Sequence, residues 1–270
     1  MKQQSTFFFI QPTSAVMKKS IVVNYITFIF LVLALYACKR EVYDFPDIET
    51  AYYPLDSGKY IIYEVDYVLY NDFESRVDTF HYFLKEQVGK TETDNLGNLY
   101  YRIDRYVKAD SLGAEWQFQQ VWAAQVHDNK AFRIENNQRF IAIAFPLSPN
   151  KDWDGLVYIR KDTTISIPGG TIDIYKDWGN FKIQTFDQPE TIDGIDYDSV
   201  LTVKRVDKIN NIERRYSLEK YAKNIGLVFK QDSILDTQCG GNIASCINKP
   251  WGQKAEKGFI LNMKLIETNR

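Results

Sequence analysis

The sequence predicts a mainly β protein built from antiparallel strands, with few short helices. Three observations carry that expectation. The stretch "KYIIYEVDYVLY" (59–70) crowds Tyr, Ile and Val and sets acids on the alternate face, as a strand with one wet side does. Turn-forming residues recur at short intervals between such runs. Few segments are both long enough and periodic enough for a helix.

Taken in order, "DTFHYFLKEQVGK" (78–90) reads as a second strand, and Asp94-Asn95-Leu96-Gly97-Asn98 supplies a turn into "LYYRIDRYVKA" (99–109). In "EWQFQQVWAAQVH" (115–127) Ala and Gln favour a helix. Trp116, Phe118, Val121 and Trp122 break the 3.6 spacing, however, so a bulged strand is expected. Asp128-Asn129-Lys130 then turns the chain into "AFRIE" (131–135). Further strands are expected at 139–147, 155–162, 181–187, 197–209, 214–224, 226–235 and 258–267, with a short helix at 171–181. Neighbours in sequence should mostly be neighbours in space.

The N-terminus has a different character. Lys18 and Lys19 precede 17 uncharged residues, Ile21 to Ala37, which end at Cys38. A basic flank, an apolar core and small residues make a secretory signal. The run is short for a membrane span, which needs about 20 apolar residues, and Asn24 and Thr27 interrupt it. Leu35-Tyr36-Ala37-Cys38 resembles the bacterial lipobox, which implies cleavage before Cys38 and acylation of that residue. The alternative is an uncleaved helix flanked by Lys39 and Arg40. Met17-Lys18-Lys19-Ser20 is by itself a complete start for such a signal. The expected organisation is thus an upstream misassigned start (1–16), a signal (17–37), a tether (38–50) and one β-rich domain (51–270).

Lys2, Lys18 and Lys19 are the only charged residues before Cys38, so the remaining 233 residues carry 30 basic and 35 acidic side chains. That balance argues against nucleic acid as a partner, which needs a basic face. With Cys38 acylated, Cys239 and Cys246 remain, and in an oxidising envelope compartment they read as a disulfide. Their spacing suits neither a redox pair nor a zinc site, and no histidine stands nearby.

Two phrases echo each other: Tyr53-Pro54-Leu55-Asp56-Ser57-Gly58-Lys59-Tyr60, and Phe145-Pro146-Leu147 running through Asn150-Lys151 to Trp153. Each reads as one turn type used twice, with proline at a sheet edge or strand start. The first phrase, soon after a lipobox, together with Tyr221-Ala222-Lys223-Asn224-Ile225-Gly226-Leu227-Val228, resembles uncharacterised lipoproteins of Bacteroidota envelopes. The resemblance implies a curved antiparallel sheet, up to a half-barrel, tethered by lipid to the envelope, with the outer membrane as the expected site. The Cys239–Cys246 segment departs from it.

Chemistry is sparse. His81 and His127 have no Cys, Asp or His partner at a metal spacing, there is no G-x-S-x-G elbow, and no cofactor, metal or catalytic residue is assigned. "DQPETIDGIDYDS" holds Asp187, Glu190, Asp193, Asp196 and Asp198, and "KDWDG" holds Asp152 and Asp154. These read as a solvated loop and a capped turn; their functional alternative is a secreted hydrolase acting on polysaccharide or peptide. Aromatics make up 15% of the chain. On a curved sheet they build a core or stack on a ligand, with Trp251 and Trp153 as candidate stacking residues and a sugar or an acyl chain as candidate ligand. The expected role is a lipid-anchored, non-enzymatic protein that binds a ligand or supports an assembly.

Overall fold

The computed structural model describes residues 47–95, 97–168 and 170–270. The signal, the alternative starts and Cys38 lie outside the described residues. The last four residues of the expected tether form a one-turn helix, α1 (Asp47–Thr50). Strands β1 (Tyr60–Asn71), β2 (Arg76–Thr93), β3 (Leu99–Ala109), β4 (Gln117–His127), β5 (Lys130–Glu135) and β6 (Gln138–Ala144) follow one another as a meander. After β7 (Asp152–Trp153) and a separate hairpin, β8 (Thr164–Ile167) and β9 (Gly170–Asp173), a second meander begins. It comprises β10 (Phe181–Ile192), β11 (Ile195–Ile209), β12 (Glu213–Ala222), β13 (Gly226–Asp236) and β14 (Lys257–Thr268). Two 3-10 turns (Cys239–Gly241 and Ile243–Ser245) and the helix α2 (Trp251–Lys254) lie between β13 and β14.

Pairing of β1 with β14 joins the meanders into one antiparallel sheet of 12 strands, ordered β6-β5-β4-β3-β2-β1-β14-β13-β12-β11-β10-β7. The sheet curls until its two edges meet. Ile141 of β6 donates its N–H to the carbonyl of Gly155 at 3.0 Å. The Ile141 carbonyl accepts the indole N–H of Trp153, in β7, at 2.9 Å. Both polar groups of an edge residue are therefore satisfied by the opposite edge, and the sheet is nearly a closed barrel. The expectation of a curved sheet holds, and the curvature goes beyond a half-barrel.

Local sequence explains the hairpins. Asp128-Asn129, Asn136-Asn137 and Asp193-Gly194 all have positive φ at both positions, which two-residue type I′ turns require and Asn, Asp and Gly tolerate. The echoed phrases do form one turn twice. Lys59 N–H bonds the Asp56 carbonyl with Gly58 at φ 86°, and Lys151 N–H bonds the Ser148 carbonyl with Asn150 at φ 63°. The bulge expected in 115–127 lies opposite Arg105 and Tyr106, where the register skips Gln119.

Strand alternation sends Tyr63, Val65, Leu84 and Val88 inward, where they are buried. Burying side chains of this size stabilises by ~1.5–3 kcal/mol each. Three local expectations fail. Residues 155–162 form turns rather than a strand, because the Asp154 carboxylate caps the Leu156 N–H and buried Leu156 pulls the segment in. Residues 171–181 are not helical; they complete β9, paired with β8, and then turn. The stretch 187–199 is not a loop but the β10–β11 hairpin, exposed on its outer face.

Candidate functional site

The interior of the barrel carries a belt of charge. Arg105 on β3 and Glu86 on β2 are direct cross-strand partners and pair at 3.0 Å. Arg133 on β5 reaches the same Glu86 oxygen at 2.5 Å and pairs with Glu135, two residues along its own strand, at 2.6 Å. Across the barrel, Lys230 on β13 and Glu219 on β12 are also cross-strand partners, 3.3 Å apart, and Asp232 stands 3.7 Å from Lys230. Arg205 completes the ring by bonding Glu219 at 2.8 Å. Its inward direction follows the alternation that buries Leu201 and Val203, and a bulge falls at the same position: Lys204 faces Leu218 and Val206 faces Ser217, so Arg205 is the extra residue.

The belt holds four cations and four carboxylates, and each carboxylate has a cation beside it. Burial alone would raise the Glu219 carboxyl. Arg205, Lys230 and the Tyr221 hydroxyl more than offset that and hold it down at about 2. Burial also works against ionisation of Glu135, and Lys230, Arg133 and Arg205 together bring it below the usual carboxylate range. Lys230 feels the converse: burial disfavours its charge, but Asp232, Glu135 and Glu219 push its pKa up. Arg105 is lowered, chiefly by burial. Guanidinium faces lie on aromatic rings, Arg105 on Trp122 at 3.5 Å and Arg205 on Phe181 at 4.8 Å.

Inside the belt is a cavity of about 260 Å³. One end is closed by the segment after β9, where Tyr175 packs edge-on against Trp178 and donates its hydroxyl to Gln138. Arg215, almost fully buried, ties the hairpin down by donating to the Asp173 carbonyl.

The residues singled out from sequence lie elsewhere. Trp153 is only 8% exposed; it packs on Phe181 and spends its N–H on the closing seam, so its faces serve the core. Trp251 opens α2 and is half-buried, with the Lys254 ammonium 4.5 Å from its ring centre. Cys239 and Cys246 are joined in a disulfide with Cα atoms 5.6 Å apart.

The hairpin carboxylates are dispersed among structural partners. Asp187 accepts from Ser199 and Tyr52, Glu190 pairs with Lys220, Asp193 with Lys264, and Asp196 accepts from Thr191. Asp152 accepts from Asn180. Among the described residues no group of three or more His, Cys, Asp or Glu side chains is arranged to hold a metal ion. His81 has carboxylate partners, Asp66 at 2.7 Å and Glu64 at 3.3 Å, but it lies on the outer surface.

Sequence reasoning missed the belt because it assigns charges to the wet face of a strand. A signal was present: Glu86 is in phase with Leu84 and Val88, and Arg105 with Ile103 and Val107.

No protein-family model matches the chain, and no curated protein matches it in sequence. Among solved structures it is similar to a protein from Bacteroides fragilis, classed as exported and with a YmcC-like fold. The two share 11% identity over 80% of this chain and 98% of the other, at a TM-score of 0.40. A protein from Parabacteroides distasonis classed as a lipoprotein shares 12% identity over 81% and 98%, at 0.36. A DUF1329 family protein from Desulfovibrio piger shares 14% identity over 82% and 90%, at 0.20.

Proposed function

We propose that this chain is a lipid-anchored protein of the cell envelope, held at the outer membrane through acylated Cys38, that binds a ligand in its barrel and does not transform it. One observation carries the binding half. The four interior carboxylates are all committed to cations, and Glu135 and Glu219 are driven below the usual range. Hydrolysis by paired carboxyls needs one that keeps its proton near neutrality, and Glu135 and Glu219 are held the opposite way. Four of the hairpin carboxylates, Asp187, Glu190, Asp193 and Asp196, are each occupied by a separate structural partner.

The anchor half rests on Leu35-Tyr36-Ala37-Cys38 behind a basic flank and an uncharged core. The Cys239–Cys246 disulfide supports export to an oxidising compartment. Each buried methylene of an acyl group adds ~0.8 kcal/mol of membrane affinity, so several chains on one cysteine hold a protein stably. The test is the intact mass of membrane-extracted protein beside a Cys38→Ala variant. An N-terminus at Cys38 carrying acyl mass, lost in the variant, is expected; a chain still beginning at Met1 or Met17 would overturn the anchor.

A further inference from the structure

The cavity inside the belt has a wall of two characters. Arg105, Arg133, Arg205 and Lys230 line it, against only two carboxylates, Glu135 and Asp232. Glu86 and Glu219, which balance the belt as a whole, do not line it. Hydrogen-bond donors outnumber acceptors in the same way. A guanidinium carries five N–H groups, yet Arg133 spends one on Glu86 and turns one toward Glu135, and Arg205 gives one to Glu219. The remaining wall is apolar and aromatic, formed by Phe140, Trp178, Phe259, Leu261 and Met263. Trp122 and Asn136 line this cavity and also an outer recess of about 600 Å³ bordered by Tyr100 and Arg102, so the two spaces share part of a wall.

We propose that the cavity is a binding site for a small amphipathic anion, a carboxylate or phosphate joined to an apolar body, with its head on Lys230 and the guanidinium groups and its body against Phe259, Leu261 and Met263. The cation excess at the wall selects the sign of the head, since charges in a water-poor interior interact far more strongly than in bulk. Spare N–H donors supply what an anionic oxygen accepts. Size selects the body. At ~30 Å³ per water-sized group, the space holds roughly eight to ten non-hydrogen atoms. The inference rests on the binding half of the proposed function and is independent of the anchor.

The test compares octanoate, octanol and octylammonium, three bodies of one length with different heads. The full chain, reconstituted in phosphatidylcholine nanodiscs, is titrated by calorimetry against empty nanodiscs, with tryptophan fluorescence reporting on Trp122 and Trp178. One octanoate per chain is expected, at least tenfold tighter than octanol, with octylammonium the weakest of the three. Leu261→Trp fills the apolar end and should abolish octanoate binding with the far-ultraviolet spectrum unchanged. Lys230→Met should reduce the preference for octanoate over octanol several-fold. Should either variant fail to fold, the wild-type series still decides. Equal affinity for octanol and octanoate would overturn the role of the cations. Absence of binding by all three at millimolar concentration would overturn the site. Neither result touches the mass of the Cys38 terminus, so failure of this inference and failure of the anchor are read separately.

Discussion

Glu219→Gln tests the belt directly. The carboxyl sits at about 2 in the folded protein against an ordinary 4.5. At ~1.4 kcal/mol per pKa unit, that difference corresponds to about 3 kcal/mol of stability. Because the folded value is the lower one, this contribution is full above pH ~4.5 and is lost as the pH falls toward 2. The amide removes the charge and leaves Arg205 and Lys230 facing a neutral group, and breaking one side of a buried pair costs about 3–5 kcal/mol. The assay is urea unfolding of wild type and variant at pH 7, 4 and 2.5, with the midpoints compared at fixed slope. Acid weakens both proteins through their other carboxylates, so the difference between them isolates this one. A gap of about 3 kcal/mol at pH 7 that narrows toward pH 2.5 is expected. A gap that stays constant over that range, or one below ~1 kcal/mol at pH 7, would refute the account of Glu219 as an ionised belt member.

Four further outcomes follow. Trp153→Phe removes the indole donor to the Ile141 carbonyl and should cost about 1–3 kcal/mol, with hydrogen exchange at Ile141 accelerated more than at Val65. Gly258 has φ 120°, and a Cβ there would stand 2.0 Å from the Ile234 carbonyl oxygen. Gly258→Ala should therefore lower the thermal midpoint sharply, through a backbone strain of about 1–3 kcal/mol and overpacking of similar size. Replacing Cys239 and Cys246 by Ser frees a short loop and should cost about 2 kcal/mol in urea unfolding while the β-sheet spectrum persists. His81 is raised by its hydrogen bond to Asp66, with burial opposing and Glu64 and Asp110 assisting. Its contribution is present below its unfolded pKa and is lost as the pH rises through the folded one, so an NMR titration of His81 should shift downward in Asp66→Asn.

Much of the fold is legible in the sequence. Alternation in 59–70 and 99–109 specifies strands whose Tyr63, Val65 and Ile103 face the interior, and Asp128-Asn129 specifies the turn between β4 and β5. Legibility stops where a residue's meaning depends on a distant segment. Gly155-Leu156-Val157-Tyr158 has strand composition, but its partner is the edge residue Ile141, which takes only the Gly155 carbonyl, and the following residues turn. Asp187 to Asp198 look like a loop because acids and Pro189 are poor in sheets. Lys220 and Lys264, from strands far along the chain, neutralise two of those acids and let the hairpin form. Arg205 is in phase with Leu201 and Val203, so its inward direction is legible, whereas the one-residue register slip beside it, opposite Leu218 and Ser217, is not.

Stability does not account for the belt. A buried ion pair replaced by well-packed apolar residues of similar volume is commonly neutral or stabilising by ~1–4 kcal/mol. A barrel already filled by Tyr63, Leu84, Leu201 and Val228 could continue the same packing through the level of Glu86 and Glu219. Instead eight charged groups drawn from β2, β3, β5, β11, β12 and β13 are desolvated, and the space beside them is left unfilled. Space left open by side chains and a buried charge each lower stability, and here they occur at one place in contact with one another. A fixed array of buried donors around a space that side chains leave open suits recognition of a charged ligand, because the ordering of the site is completed before the ligand arrives. On this reasoning, octanoate occupancy should raise the urea midpoint of the wild type and should not raise that of Leu261→Trp.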